Sequence, residues 1–318
     1  MNARILATLA PLLLLTSVSC KPKDAPPELN AAVEANAAVE AAAGGDSAEA
    51  PVTAGASSRW VRFQSGGLDR SALAFIPANR GEKPGALMLF HGLGDSAESF
   101  ATGLDAAGLA ERLGVVVVAA DGTPNASGGM KSWNAGSCCA FGDETRDDDR
   151  LLADLIDAVD RVLPIDREQV DIAGFSNGGY FVEYNACKHS ELIRGGLNVA
   201  GSEPLPAEEC QPSSPVRLLR IHGEADERVP FAGGQIQGRE VVSFDQSFAN
   251  WRQRIGCSNA PVNEYWGAAM CRSQNACTAG VYVSCQVPGL GHAWPHVRST
   301  SLDVFERAWQ VWQRPIGG

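Results

Sequence analysis

A serine in a tight, glycine-rich turn is the first residue of this chain with the setting for nucleophilic chemistry. Ser176 stands at the centre of GFSNG, residues 174–178, where glycines two positions to either side let the chain turn sharply and expose the hydroxyl. The pattern alone is weak evidence. Because it follows the apolar run 169–174 and opens a helical segment, we predict that Ser176 is a nucleophile for acyl transfer.

A carboxylate and a histidine follow Ser176 in the order serine, acid, histidine that this kind of turn usually accompanies. Asp226 stands in IHGEADERVP after the predicted strand VRLLR, and Glu224 is the competing carboxylate. His292 stands in GLGHAWP, with His296 nearby. We predict that His292 takes the serine proton and that Asp226 fixes its tautomer and stabilises the imidazolium. His292 must be neutral to do so, and activity is therefore expected to fall at acid pH.

The other three histidines have positions that fit structural roles. His91 and His222 each precede a glycine at the end of a predicted strand, where a histidine can hold a loop by hydrogen bonds. His189 follows a helical segment and is interpreted as a helix-end residue.

Two backbone N–H groups are the predicted donors to the oxyanion that acyl transfer forms. One belongs to Asn177, directly after the serine, and the other to Leu93 in the loop HGLG, residues 91–94. The small residues of this loop would let its backbone approach a substrate closely. The alternative is that the glycines only make a turn.

The elements that position these residues follow the pattern of an α/β protein. From Trp60 onward, short apolar runs alternate with longer amphipathic segments, which predicts a mostly parallel central sheet with helices on both faces. Predicted strands cover residues 60–65, 71–77, 86–90, 115–122, 169–174 and 216–223. Predicted helices cover residues 96–114, 148–164, a segment after Ser176, and 301–313. With a strand delivering Ser176 to a helix, the fold class expected is the α/β-hydrolase, over residues 59–318.

The start of the chain has the composition of an export segment and a tether. Residues 1–20 carry an early Arg4, an apolar run and small residues before Cys20, as a signal peptide does. The end of this segment resembles a bacterial lipoprotein processing site, which would make Cys20 a lipidated first residue and the membrane a partner. The alternative is secretion with cleavage nearby. Residues 21–58, rich in Ala, Glu and Pro, are predicted to be a disordered tether.

Charge and cysteine content limit the possible partners. The 318 residues carry a formal net charge of -11, which leaves no basic face for nucleic acid. Nine cysteines in an exported chain indicate disulfides, and setting Cys20 aside leaves eight, an even number that can pair in 105 ways. The adjacent Cys138 and Cys139 are expected to bond to different partners. No CxxC spacing occurs, so no metal is expected.

Five motifs in order carry a family resemblance: LFHGLGDSAESF, WNAGSCC, VDIAGFSNGGY, IHGEADERVP and GLGHAWP. Across residues 70–295 the chain resembles the secreted polyhydroxybutyrate depolymerase and feruloyl esterase family. The resemblance implies an α/β-hydrolase sheet and an extracellular carboxylic-ester hydrolase without a cofactor. By position, Ser176, Asp226 and His292 match the triad of that family, and Leu93 and Asn177 match its oxyanion donors.

The resemblance also places substrate contacts. Trp133 and Asn134 match a loop near the acyl pocket, with a purely structural role for Trp133 as the alternative, and Trp294 beside His292 is a third predicted contact. Such depolymerases often have Cys where this chain has Leu93, and Gly where it has Ala140. Because no polymer-binding module precedes the end at Gly318, a soluble ester or an ester on polysaccharide is expected as substrate.

Three functions are compatible with the sequence. The leading hypothesis is a serine carboxylesterase that works through an acyl-enzyme on feruloyl, acetyl-polysaccharide or short polyhydroxyalkanoate esters. The first alternative is a peptidase on the same fold. The second is a lipoprotein that binds acyl or glycan ligands without turnover, although degraded triads are usual in that class and all three positions are intact here.

Overall fold

The computed structural model describes residues 55–124, 129–139, 146–206, 208–236, 238–274 and 276–316. The predicted export segment with Cys20 lies outside these ranges, as do residues 21–54 of the predicted tether and Ala140. The first strand begins at Ser57, two residues before the predicted start of the catalytic domain. No helix within the described ranges combines the length and the apolar character that crossing a bilayer requires.

The strands are short extended runs, most of them apolar and buried. Ten of them form one sheet: β1 (Ser57–Ser65), β2 (Leu68–Ile76), β3 (Ala86–Phe90), β4 (Val116–Ala120), β7 (Val170–Phe175), β8 (Gly195–Val199), β9 (Val216–Gly223), β12 (Val262–Trp266), β13 (Ala269–Gln274) and β14 (Gly280–Val287). Two further pairs form small separate ladders: β5 (Thr123–Pro124) with β6 (Lys131–Ser132), and β10 (Gly234–Ile236) with β11 (Arg239–Val241).

The large sheet has the strand order β1-β2-β4-β3-β7-β8-β9-β14-β13-β12. Parallel pairing joins β4, β3, β7, β8, β9 and β14, whereas β1 and β2 at one margin and β13 and β12 at the other pair antiparallel. Strands β3 and β4 are buried at every position, as expected for parallel strands covered on both faces. The predicted mostly parallel sheet is confirmed.

Helices cover both faces of this sheet. They span α1 (Ala97–Gly103), α2 (Ala106–Leu113), α3 (Leu151–Val162), α4 (Asn177–Lys188), α5 (Phe244–Arg254), α6 (Val297–Thr300) and α7 (Val304–Trp312). Met88 and Phe90 of β3 pack in the core layer to which α3, α4 and α5 contribute. Leu87 and Leu89 of the same strand pack in the opposite layer, to which α1, α2 and α7 contribute. Alternate side chains of one strand therefore serve two cores.

Two parts of the fold differ from the sequence prediction. The single helix expected over residues 96–114 is two helices, because Asp105 adopts a left-handed backbone (φ 50°) and its carboxylate accepts the N–H of Gly108 at 3.1 Å, which caps α2. Strands β8 and β12 to β14 were not predicted. The first of these contains two glycines in five residues, and the hairpin β12–β13 contains polar side chains, so neither gives a clear apolar run.

The eight cysteines of the described region form four disulfides: Cys138–Cys139, Cys187–Cys210, Cys257–Cys277 and Cys271–Cys285. The first pair corrects the expectation that the adjacent cysteines bond to different partners. That expectation treats the backbone as extended, with successive side chains pointing apart. Cys139 instead has a left-handed backbone (φ 71°), and the two sulfurs meet.

Candidate active site

Ser176 lies at a sharp turn between β7 and α4, the arrangement predicted from GFSNG. Its backbone is strained, with φ 53° and ψ −115°, a conformation that exposes the side chain of the turn residue. The glycines are required by close packing: a Cβ on Gly178 would lie 1.9 Å from the carbonyl oxygen of Phe90, and one on Gly174 would lie 2.1 Å from the carbonyl oxygen of Gly178. The backbone of β3 therefore packs directly against the turn, and the two ends of the turn pack against each other.

The side chains of Ser176, His292 and Asp226 form one hydrogen-bonded row. The Nε2 atom of His292 lies 2.9 Å from the Oγ of Ser176, and its Nδ1 atom lies 2.8 Å from Oδ2 of Asp226. With Nδ1–H donating to the carboxylate, Nε2 is free to accept the serine proton, a tautomer that follows from the partners of the ring. These are the distances that activation of a serine by a histidine requires.

The loops that carry the acid and the histidine follow neighbouring strands and pack on each other. Asp226 follows β9, and His292 follows β14. A Cβ on Gly223 would lie 2.1 Å from the carbonyl oxygen of Leu290, so the backbone of the histidine loop rests directly on this glycine. The N–H of Ala225 also donates to Leu290 O at 2.9 Å. The relative position of the two side chains is therefore set by backbone contact.

The carboxylate of Asp226 is kept ionised by the donors around it. Burial alone would raise the pKa of this carboxyl, but hydrogen bonds, first from His222 and then from His292, hold that pKa well below its usual range. Its Oδ1 atom accepts the backbone N–H groups of Arg228 at 2.9 Å and Val229 at 2.8 Å. A carboxylate that stays charged can stabilise an imidazolium beside it.

The predicted oxyanion segments lie next to the serine. A Cβ on Gly92 would be 3.6 Å from the Cβ of Ser176, and the N–H of Gly94 donates to Lys131 O at 2.8 Å, which anchors the far end of the loop. Leu93, half-buried, lies between these two glycines. Asn177 is the first residue of α4, where N–H groups have no partner inside the helix. The role of Leu93 and Asn177 as donors stays a prediction.

Trp133 belongs to the framework of the site. Its side chain has 0% of its surface exposed, and its Nε1–H donates to the carbonyl oxygen of His91 at 2.8 Å. Its backbone N–H and carbonyl bind the side-chain amide of Asn177 at 2.8 Å and 3.0 Å. The enclosed indole favours the structural alternative, and a substrate contact by Trp133 stays a prediction.

Asn134 is tied to the segment that precedes α3. Its N–H donates to Oδ2 of Asp148 at 2.7 Å, and its side-chain amide donates to Arg146 O at 2.7 Å. Asp148 is fully buried and forms ion pairs with Arg70 and Arg146. Asn134 retains some exposed surface, so its contact with a substrate stays a prediction.

Trp294 forms part of an aromatic cluster beside His292. Its ring packs against Phe305 at 5.4 Å, Phe100 at 5.9 Å and Phe175 at 6.4 Å between centroids. Phe175, directly before the serine, also lies 5.0 Å from the imidazole of His292. Trp294 and Phe175 are both half-buried, which leaves aromatic surface near the serine for a ligand. The role of Phe175 was not predicted, although its position beside Ser176 was a signal.

The competing acid and base lie elsewhere. The exposed carboxylate of Glu224 accepts the side-chain amide of Gln286 at 2.6 Å, while His292 binds Asp226. His296 is exposed and caps the short helix α6 through its carbonyl oxygen. Within the described ranges, no three His, Cys, Asp or Glu side chains gather as a metal site.

Two of the remaining histidines take the structural roles predicted for them. His91 bridges Gly92 O at 2.7 Å and the N–H of Gly122 at 2.9 Å, and burial lowers its pKa, so the ring is neutral and holds the loop 91–94. His189 is the C-terminal cap of α4 and binds Asp149 at 2.9 Å.

Sequence reasoning missed two contacts of the site. The Nε2 atom of His222 lies 3.3 Å from Oδ2 of Asp226, and the Sγ of Cys138 lies 3.7 Å from the side-chain amide of Asn177. The spacing of four residues between His222 and Asp226, at the end of one strand, was a usable signal for the first. The sequence contains no signal for the second.

Known proteins match most of this chain. Residues 71–246 match the family model described as Phospholipase/Carboxylesterase. Feruloyl esterase B of Piromyces equi is 27% identical over 239 residues, which cover 70% of this chain and 43% of that protein. The esterase NocK of Nocardia uniformis subsp. tsuyamanensis is 30% identical over 240 residues, which cover 69% of this chain and 67% of that protein. The chain thus spans less than half the length of feruloyl esterase B.

Two solved structures share the fold. An acetyl xylan esterase from Aspergillus awamori superposes with a TM-score of 0.59 at 15% identity, over 78% of this chain and 99% of that one. A CE1 ferulic acid esterase from Anaeromyces mucronatus superposes with a TM-score of 0.55 at 14% identity, over 83% and 94%. The predicted α/β-hydrolase fold and the resemblance to feruloyl esterases are confirmed. With more than half of its residues matched by the family model, the chain belongs to the phospholipase/carboxylesterase family of α/β-hydrolases.

Proposed function

We propose that this chain is an extracytoplasmic serine carboxylic-ester hydrolase that acts through an acyl-enzyme. The observation that carries the proposal is the hydrogen-bonded row from Ser176 through His292 to Asp226, with the serine on a strained turn. Membership of a carboxylesterase family favours ester hydrolysis over the peptidase alternative. The intact row favours turnover over ligand binding alone.

The geometry supports a two-step reaction. Ser176 Oγ attacks the ester carbonyl carbon while His292 Nε2 takes the hydroxyl proton, and the oxyanion accepts hydrogen bonds from the N–H groups of Asn177 and Leu93. The imidazolium, stabilised by the ionised Asp226, then gives its proton to the leaving alcohol and leaves an acyl ester on the serine. Water repeats the attack with His292 as base and releases the acid. The reaction requires no cofactor.

We favour as substrates the esters of aromatic acids or acetic acid with small alcohols or with polysaccharide. The half-buried residues Phe175 and Trp294 offer an apolar surface beside the serine, on which an aromatic acyl group can pack edge to face. Two relatives are named feruloyl esterase B and bifunctional acetylxylan esterase/xylanase. The second, from Neocallimastix patriciarum, is 23% identical and is covered over 34% of its length.

Substitution of the nucleophile tests the proposal. Ser176→Ala should lower kcat by about 10⁴- to 10⁶-fold on nitrophenyl acetate and methyl ferulate, as loss of a triad serine does. Ser58→Ala, at an exposed serine of β1, is the matched control and should keep full activity. Equal hydrolysis by the parent and the Ser176 variant would refute the assignment. Cleavage of a peptide panel in preference to both esters would support the peptidase instead.

The proposed location is extracytoplasmic, on the periplasmic or cell-surface side, with a membrane anchor supplied by lipidation at Cys20. Four disulfides in the described region fit an oxidising compartment. Cys20→Ala should move the protein from the membrane fraction to the soluble fraction of the exporting cell. Fractionation that does not change would contradict lipidation and favour secretion with cleavage nearby.

A further inference from the structure

A second histidine contacts the carboxylate of Asp226. The Nε2 atom of His222, at the end of β9, lies 3.3 Å from Oδ2 of Asp226 and 2.8 Å from the carbonyl oxygen of Val229. The same Oδ2 accepts the Nδ1–H of His292 at 2.8 Å. One carboxylate oxygen therefore faces two imidazole rings, one on the reaction side and one behind it.

The surroundings of His222 fix its protonation. Both neighbours of Nε2 are acceptors, so the proton lies on Nε2, and Nδ1 has no hydrogen-bond partner among the described residues. The ring is fully buried against the stacked rings of Phe231 and Phe244, whose centroids lie 6.0 Å and 6.3 Å away. Burial lowers its pKa and keeps it neutral. His222 can therefore donate a hydrogen bond without placing a second positive charge near His292.

His222 also closes the loop that carries the acid. Val229 accepts from His222 through its carbonyl and donates its N–H to Oδ1 of Asp226 at 2.8 Å. The ring thus links the end of β9 to the far end of the loop, and Asp226 lies between the two. Losing this donor would free one side of the carboxylate and loosen its loop.

We propose that His222 is a positioning residue that orients Asp226 toward His292. The inference rests on the proposed function, because it concerns the acid of the same row. A donor on Oδ2 fixes the rotation of the carboxyl and withdraws negative charge from the oxygen that His292 uses. Two further groups interact electrostatically with this pair: Arg220, on the same strand, with His222, and Tyr180 of α4 with Asp226. Both lie outside the hydrogen-bonded row.

Paired substitutions in the full-length chain separate donation from packing. His222→Gln places an amide N–H close to the former Nε2, whereas the shorter side chain in His222→Asn reaches only the former Nδ1 position. His222→Leu fills the space without a donor. His189→Gln, at a histidine bound to Asp149 away from the row, is the control. Each variant is measured for kcat, KM and the pH profile of kcat/KM on nitrophenyl acetate, with Ser176→Ala in parallel.

The expected result is a loss confined to the variants without a donor at Nε2. The Leu and Asn variants should lose roughly tenfold to a hundredfold in kcat with KM changed by less than about threefold, because small misplacements of a catalytic group have effects of this size. A less neutralised carboxylate favours the imidazolium, so the acid limb of their kcat/KM profiles should move to higher pH. The Gln and His189 variants should resemble the parent. If His222 only filled space, the acid limb would stay at the parental pH, and the Gln and Asn variants would have similar kcat.

Several outcomes would overturn the inference. The inference would be wrong if the Leu and Asn variants folded and kept the parental kcat and acid limb. It would also be wrong if the Gln variant had a kcat no higher than that of the Asn variant. If the Leu variant does not fold, the comparison of Gln with Asn decides. Activity that persists in Ser176→Ala would defeat the proposed function itself, whereas an inactive Ser176 variant with unaffected His222 variants would defeat only the role of His222.

Discussion

Replacing Trp133 by phenylalanine distinguishes a framework role from a substrate contact. The change removes the indole N–H that donates to His91 O at 2.8 Å, and an unsatisfied buried carbonyl costs about 1–3 kcal/mol. It also removes part of a fully enclosed ring that packs against Phe90 at 5.3 Å and Phe181 at 5.7 Å, which costs about 1–2 kcal/mol. We therefore expect the free energy of unfolding to fall by roughly 2–5 kcal/mol.

Thermal unfolding and steady-state kinetics measure the two consequences. A domain of this size loses roughly 2 °C in Tm per kcal/mol, so Tm should fall by about 4–10 °C. Because the loop 91–94 loses one of its attachments, kcat on a soluble ester should fall by about tenfold. KM should change by less than about threefold. Trp60→Phe, at a tryptophan with 44% of its surface exposed, is the control and should change stability by less than about 0.5 kcal/mol.

The opposite pattern would refute the reasoning about Trp133. If this residue touched the substrate, its replacement would raise KM and leave Tm at the parental value. A parental Tm would also show that the bond to His91 O and the enclosure of the ring contribute little to folding.

Three further predictions follow from the site. Gly178→Ala should yield no folded protein, because the new Cβ would lie 1.9 Å from Phe90 O. The control Gly103→Ala, whose new Cβ would have no atom within 4 Å, should have the parental Tm. A soluble Gly178 variant with the parental Tm would contradict this packing. Asp226→Asn should lower kcat by about 10⁴-fold. The pKa of Asp226 lies well below its usual value, so the ionised carboxylate stabilises the fold at pH values above the ordinary pKa of about 3.9 and loses this contribution as pH falls. The difference in the free energy of unfolding between the parent and Asp226→Asn should therefore shrink from pH 7 to pH 3. A constant difference would count against the argument. Mass spectrometry of the unreduced protein should find Cys138 linked to Cys139, and a link of either to another cysteine would show this pairing to be wrong.

Strands β3 and β4 were predictable because burial on both faces requires a continuous apolar run, whereas β8 and β14 of the same parallel part were not predicted. Residues 86–90 form such a run, whereas residues 169–174 contain Gln169 and Asp171 among apolar neighbours, and the turn after them identified Ser176 by its glycines. The order serine, acid, histidine then identified Asp226 and His292, which the structure brings within hydrogen-bonding distance. These features depend on local pattern and on fold topology, which a single sequence expresses.

Features that depend on distant contacts were not predictable. The enclosure of Trp133 requires Phe90 and Phe181 to converge on it from β3 and α4, and nothing local to WNAGSCC indicates that. The bond between Cys138 and Cys139 depends on a left-handed backbone at a residue that is not glycine. Ser273 and Gln274 of β13 are buried, although their residue types do not predict it.

The three residues of the row extend from strands in the interior of the sheet. Strands β7, β9 and β14 lead to them, and the antiparallel strands β1, β2, β12 and β13 lie outside. Fraying that starts at the outer strand on either margin therefore breaks no pairing that supports the reacting groups. Amide protons of β1 and β12 can exchange with solvent many times while the enzyme continues to turn over. Inactivation on heating should coincide with unfolding of the central parallel strands.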